Sequence, residues 1–155
     1  MFVRRMIYLN KKTFENKEFF LTVEESLDKG ENVSFFVKGT SMLPIFKDSL
    51  TEVFITKKDK YQRFDVCLFK IDEKYILHRL IKINKHHYYF RGDHTYNFEV
   101  VHEEDILAYV YKIKTGESII EVDNFKYRFR FKFHLFLKGI KMFLRKILKG
   151  NKGGE

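Results

Sequence analysis

Cysteine, proline and tryptophan are almost missing from this chain of 155 residues, which holds one Cys, one Pro and no Trp. A lone Cys67 cannot close an internal disulfide, which excludes a disulfide-stapled scaffold and permits a reduced, cytoplasmic setting. Its apolar neighbours over 64–69 point to a packing thiol in the core. With 8 Gly and a single Pro there is no low-complexity linker, and no internal repeat is visible. No run approaches the ~20 apolar residues of a membrane span. The opening stretch 1–9 is too short and too polar for the apolar core of a secretory leader, so the expected location is the cytoplasmic side.

Aromatics are plentiful instead. Hydrophobic residues make up 45% of the chain and aromatics 17%, with 18 Phe and 9 Tyr, a composition that folds. The length suits one domain, and two catalytic domains do not fit. The formal charge of +9 is unevenly placed. Ten of the 30 Lys and Arg, but only one of the 21 acids, lie from Lys126 onward, so the chain before that point is formally neutral and the excess belongs to a tail.

Apolar residues at Phe14, Phe19, Phe20, Val23 and Leu27 recur at helical spacing behind a possible Thr13 cap, and Lys29-Gly30 ends the pattern. Short β-rich runs follow at 33–37, 52–56, 66–71, 74–83, 87–91, 106–114 and 118–122, with a hairpin turn at 114–117. Helical periodicity returns over 124–148, with Phe129, Phe133, Phe136, Ile140 and Leu144 on one side and Lys or Arg mostly on the other. The expected organisation is an N-terminal helical segment over 1–30, a mainly β domain over 31–123, and a basic amphipathic helix with a polar end over 124–155.

Chemistry concentrates at Val37-Lys38-Gly39-Thr40-Ser41-Met42-Leu43-Pro44, where a serine stands between a glycine and the only proline, directly after a strand. A nucleophilic serine needs such a setting, because its hydroxyl must stand clear of the sheet while backbone N–H groups face the developing oxyanion. Taken alone, the segment reads better as an ordinary strand-to-turn Gly-Thr-Ser, where serine is common. Further on come Phe64-Asp65-Val66-Cys67-Leu68-Phe69, then Leu77-His78-Arg79-Leu80-Ile81, then Arg91-Gly92-Asp93.

These four boxes, in this order, resemble those of the S24/S26 serine peptidases, the group of the signal peptidases and the LexA-like repressors. The resemblance covers about 33–110. It implies a mainly β, LexA/signal-peptidase-like domain in which Ser41 attacks a peptide carbonyl. Most of the group uses lysine as base; His78 stands at that position here, as in the endoplasmic-reticulum type, which implies a Ser-His pair. Imidazole suits the task, since it titrates near neutrality and needs no desolvation to accept the serine proton.

A carboxylate commonly holds such an imidazole. Within Gly92-Asp93-His94-Thr95-Tyr96-Asn97-Phe98-Glu99, both Asp93 and Glu99 are candidates, and the sequence leans to Asp93, with Glu99 the alternative. The group's second acidic box is reduced here to Phe98-Glu99. The substrate implied is an extended leader or signal peptide bound as an added strand. LexA-like self-cleavage is set aside, because the chain holds no Ala-Gly or Cys-Gly dipeptide and shows no helix-turn-helix pattern. The rival of a different class is an inactive peptide- or membrane-binding module that keeps the fold without turnover.

No cofactor is expected. Among the six histidines, His86, His87, His94 and His102 form the nearest group, but without metal-ligand spacing they read as surface or turn residues. Signal peptidases carry a membrane-spanning helix ahead of the serine box. The segment 13–28 here contains Glu15, Glu18, Glu24 and Glu25 and does not span. The expected substitute is the basic C-terminal helix lying on an anionic membrane surface. Packing of that helix on its own domain comes second, and nucleic acid, for which no motif is present, last.

Overall fold

The structure, a computed structural model, describes residues 6–8 and 17–122, together with 137, 139 and 140. Contacts divide the chain into two compact units, Met1–Val122 and Asp123–Glu155. The Thr13 cap and, apart from the helical positions Leu137, Gly139 and Ile140, the basic helix over 124–148 lie outside the described residues.

The first unit is mainly β. Its strands are β1 (Met6–Tyr8), β2 (Asn32–Phe36), β3 (Thr51–Thr56), β4 (Val66–Ile71), β5 (Lys74–Asn84), β6 (His87–Arg91), β7 (Glu99–His102), β8 (Ile106–Thr115) and β9 (Ser118–Glu121), with helix α1 (Lys17–Asp28) between β1 and β2. They join in one sheet of order β1-β2-β3-β8-β4-β5-β6-β7, with β9 paired to β8. β1 runs parallel to β2, and the remaining pairs are antiparallel.

Helix α1 forms where the sequence predicts it because Phe20, Val23 and Leu27 fall on one face, and all three are buried. It stops through a Schellman motif: Glu31 N–H donates to Ser26 C=O and Gly30 N–H to Leu27 C=O, each at 3.0 Å. That closure needs a left-handed residue, and Gly30 supplies it with φ +76°. The helix docks through aromatic contacts, Phe20 stacking on Tyr75 of β5 at 4.2 Å and meeting Phe35 of β2 edge to face. Tyr75 also donates a hydrogen bond to Glu24.

Seven of the nine strands among the described residues coincide, to within a residue or two at the ends, with runs read from the sequence. β1 and β7 were not expected. Each is short, and in β7 only Val101 is fully buried, so neither carries enough alternation to stand out. Around the middle of the sheet, Tyr61, Cys67, Phe69, Leu80, Tyr88, Phe90, Val101 and Ile106 pack into one cluster. Burial pushes the Cys67 thiol well above its ordinary pKa, with the nearby Asp65 carboxylate adding to the effect. The single cysteine is therefore a packing group and an unreactive one.

Candidate active site

Ser41 owes its position to anchors on both sides. Strand β2 runs on to Val37, whose N–H donates to Thr51 C=O at 2.9 Å. The chain then turns at Gly39, φ +97°, a left-handed conformation open to glycine at little cost. Gly39 N–H is held by Asp48 Oδ1 at 2.7 Å. After Ser41, Met42 and Phe46 are buried and tied by a 3.0 Å hydrogen bond from Phe46 N–H to Met42 C=O, with a cis Leu43–Pro44 bond between them. The half-buried Ser41 thus stands on a turn pinned before and after it.

His78 comes from the middle of β5, opposite Cys67 of β4, with its ring edge-on to Phe69 at 6.4 Å. Its Nδ1 lies 2.9 Å from Glu99 Oε2. A carboxylate oxygen accepts here, so Nδ1 is the donor, and in the neutral ring Nε2 then holds the lone pair. Sheet register accounts for the contact: Leu80 faces Phe90 on β6, and Phe90 faces Glu99 on β7. Glu99 therefore shares a face of the sheet with Leu80 and, two residues earlier on the same strand, with His78.

Asp93, the carboxylate to which the sequence leans as third member, is placed elsewhere. Its two oxygens take Arg79 Nε at 2.9 Å and Nη2 at 2.8 Å, a bidentate pair whose side chains are each only 1% exposed. Arg79 also donates through Nη1 to Phe64 C=O at 3.0 Å. The carboxylate against the imidazole is Glu99, and Asp93 fixes the turn that starts at Gly92. From that turn, His94 N–H donates to Ser41 C=O at 2.8 Å.

Gly92 marks where the boxes meet. A Cβ placed on it would lie 2.6 Å from Ser41 C=O, 2.9 Å from Thr95 Oγ1 and 3.0 Å from His78 Nε2. Ser41's backbone and the lone-pair nitrogen of His78 thus close on one point, which only a residue without a side chain leaves vacant. Gly92→Ala is accordingly expected to force Ser41 and His78 apart. The reaction of Ser41 with a fluorophosphonate should fall by about 10²-fold, as a misplacement of the order of 1 Å commonly costs. Rate measurements on parent and variant at equal probe concentration check this.

Ser41 and His78 both line a cleft of about 140 Å³, with Val37, Lys38, Gly39 and Met42 on one wall and Tyr75, Ile76 and Leu77 on the other. Along that second wall β5 pairs with β4, whereas its pairing with β6 begins only at Arg79. The cleft is thus bordered by a length of strand with one edge not taken up by β6, which can accept a further strand.

The four residues named from the sequence therefore separate into two groups. Ser41 and His78 line the cleft, with Glu99 against the far nitrogen of His78, and Asp93 serves Arg79. The sequence assigned no role to Gly92, Arg79 or Tyr75. A signal for Arg79 was present, since an arginine inside an apolar β-run can be buried only if a carboxylate comes to meet it. Among the described residues no three His, Cys, Asp or Glu side chains come together as a metal centre, and no helix is long and apolar enough to cross a membrane. Compared with family models, curated proteins and solved structures, the chain matches none.

Proposed function

We propose that the chain is a serine endopeptidase of the signal-peptidase/S24 type, which cleaves an extended leader or signal peptide by a Ser-His mechanism with Glu99 behind the histidine. One observation carries this reading: a serine and a histidine 37 positions apart line one cleft, while the far nitrogen of the imidazole is held by a carboxylate at 2.9 Å. His78 Nε2 takes the Ser41 Oγ proton as Oγ attacks the peptide carbonyl. The resulting imidazolium returns that proton to the departing amine, and water, deprotonated by the same nitrogen, then releases the acyl group. Ser41 N–H faces the oxyanion, and Gly39 has no hydroxyl to add to it. Ionised Glu99 steadies the imidazolium and fixes its tautomer.

The peptide adds as a strand between the stretch 37–39 and the free edge of β5, a mode in which main-chain hydrogen bonds provide affinity. The basic segment 124–148 holds the enzyme to an anionic membrane surface on the cytoplasmic side, a reading supported by its charge and periodicity.

The direct test is a fluorophosphonate probe with the full-length chain. The expected result is a single adduct on the peptide carrying Ser41, absent in Ser41→Ala. A folded parent that takes up no probe would mark the chain as a binding module without turnover, and equal labelling of Ser41→Ala would remove Ser41 as the nucleophile.

A further inference from the structure

The opposite face of the same strands carries a second constellation. Alternation along β7 turns Glu99 and Val101 inward and leaves Val100 and His102 outward. β6 alternates in step, with Tyr88 and Phe90 buried and His87 exposed. His87 and His102 are direct cross-strand partners. Their ring centres stand 5.1 Å apart with planes inclined at 50°. Asn84 of β5, paired with His87, continues the row.

That spacing has a chemical meaning. An imidazole nitrogen sits about 2.0–2.1 Å from a bound zinc ion, and the ring centre lies ~1.1 Å behind it, so two imidazoles on a tetrahedral ion have centres about 5 Å apart. The two ring centres already stand at this distance across paired strands, so turning the rings about their side-chain bonds is enough to bring a nitrogen of each to one ion. Imidazole nitrogen selects Zn²⁺, Ni²⁺ and Cu²⁺ over Mg²⁺ and Ca²⁺, which take oxygen ligands.

We infer that His87 and His102 form a two-imidazole surface site for a late first-row divalent metal ion, with water filling the remaining positions. No third His, Cys, Asp or Glu among the described residues joins them, so the site is open and its ion exchangeable, unlike a closed four-ligand structural centre. Its place in the fold gives it a consequence. β7 has four residues, ends the sheet order, and among the described strands is hydrogen-bonded to β6 alone. An ion held between β6 and β7 clamps the strand whose inner face presents Glu99 to His78, and the metal-bound state stabilises that pairing by mass action.

The experiment uses the full-length chain with any affinity tag removed. Calorimetric titration with Ni²⁺ and with Zn²⁺ should find one site, weakened about tenfold or more by His87→Gln or by His102→Gln. His86→Gln and His94→Gln should leave that site unchanged. Electron paramagnetic resonance of the parent with one equivalent of Cu²⁺ should show two imidazole nitrogens on the metal, a readout that does not depend on any variant folding. Zn²⁺ should slow hydrogen exchange across β7 in the parent and not in His102→Gln. No binding at millimolar metal, one imidazole or none on Cu²⁺, or affinity untouched by both glutamine variants overturns the site. None of these readouts involves Ser41, so the outcome is independent of whether the chain is a peptidase.

Discussion

Replacing His78 by Ala is expected to slow the reaction of Ser41 with a fluorophosphonate by about 10²–10⁴-fold, the range that a positioned general base contributes. Without the ring, the serine proton has only water to go to. The fold should tolerate the change, because His78 stands at the cleft wall and its loss deletes neither the Arg79–Asp93 pair nor the anchors Met42 and Phe46. Stopped-flow or timed labelling of parent and variant gives the ratio of rates. Labelling within a few-fold of the parent would remove His78 from the base role, whatever Ser41 does.

The companion substitution, Glu99→Gln, separates an orienting carboxylate from an ordinary neighbour. A glutamine keeps the size of the side chain, but its NH₂ can donate to Nδ1, and imidazole then protonates at Nε2, the nitrogen that must be free to accept. Reactivity should fall almost as far as in His78→Ala, because the wrong tautomer disables the base while the geometry stays. Glu99→Gln combined with His78→Ala should cost little more than His78→Ala alone, since Glu99 acts only through the ring. An additive double variant would mean that Glu99 acts on something other than His78.

The sequence made much of this site legible, and the reason differs from residue to residue. Ser41 stands out only through the set of four boxes, because a strand end, a glycine and the only proline three residues on also suit an ordinary turn. His78 sits inside an apolar run whose alternation turns it to the same face as Leu80 and Ile76. Glu99 was only half visible. Its relation to His78 passes through two cross-strand pairings, Leu80 with Phe90 and Phe90 with Glu99, and the second belongs to β7, a strand too short and too exposed to be read from pattern. Without that register the sequence leans only lightly to Asp93, which the Gly-Asp box keeps, over Glu99 in the reduced second acidic box. The strands themselves were readable because β-branched and aromatic runs are separated by polar turns. A turn such as 62–65 was less so, since besides the local bonds between Gln62 and Asp65 it is held by Arg79 and Leu80 from another strand.

Asp93→Asn is the substitution expected to cost the most stability, about 3–5 kcal/mol, the range found when one partner of a buried ion pair is removed. The pair is fully enclosed, so little solvent screening reduces the effect. Asparagine can accept from Arg79 at one position only, and it leaves the guanidinium charge in the interior without its counter-charge. Two loops lean on the same group. Arg79 Nη1 holds Phe64 C=O, and Phe64 adopts φ 81°, a conformation costly for a bulky side chain. Asp93 meanwhile stands in the turn, begun by Gly92, from which His94 N–H reaches Ser41 C=O. Denaturant titration should therefore show a lower midpoint at an unchanged slope for Asp93→Asn. The double variant Arg79→Met with Asp93→Leu should recover a large part of the loss, because an apolar pair leaves no charge stranded. At low temperature, where Asp93→Asn is still folded, Ser41 should keep much more of its reactivity than it does in Glu99→Gln. If Asp93→Asn instead abolishes labelling at full stability, Asp93 takes part in the chemistry directly and the assignment of Glu99 as the orienting carboxylate fails.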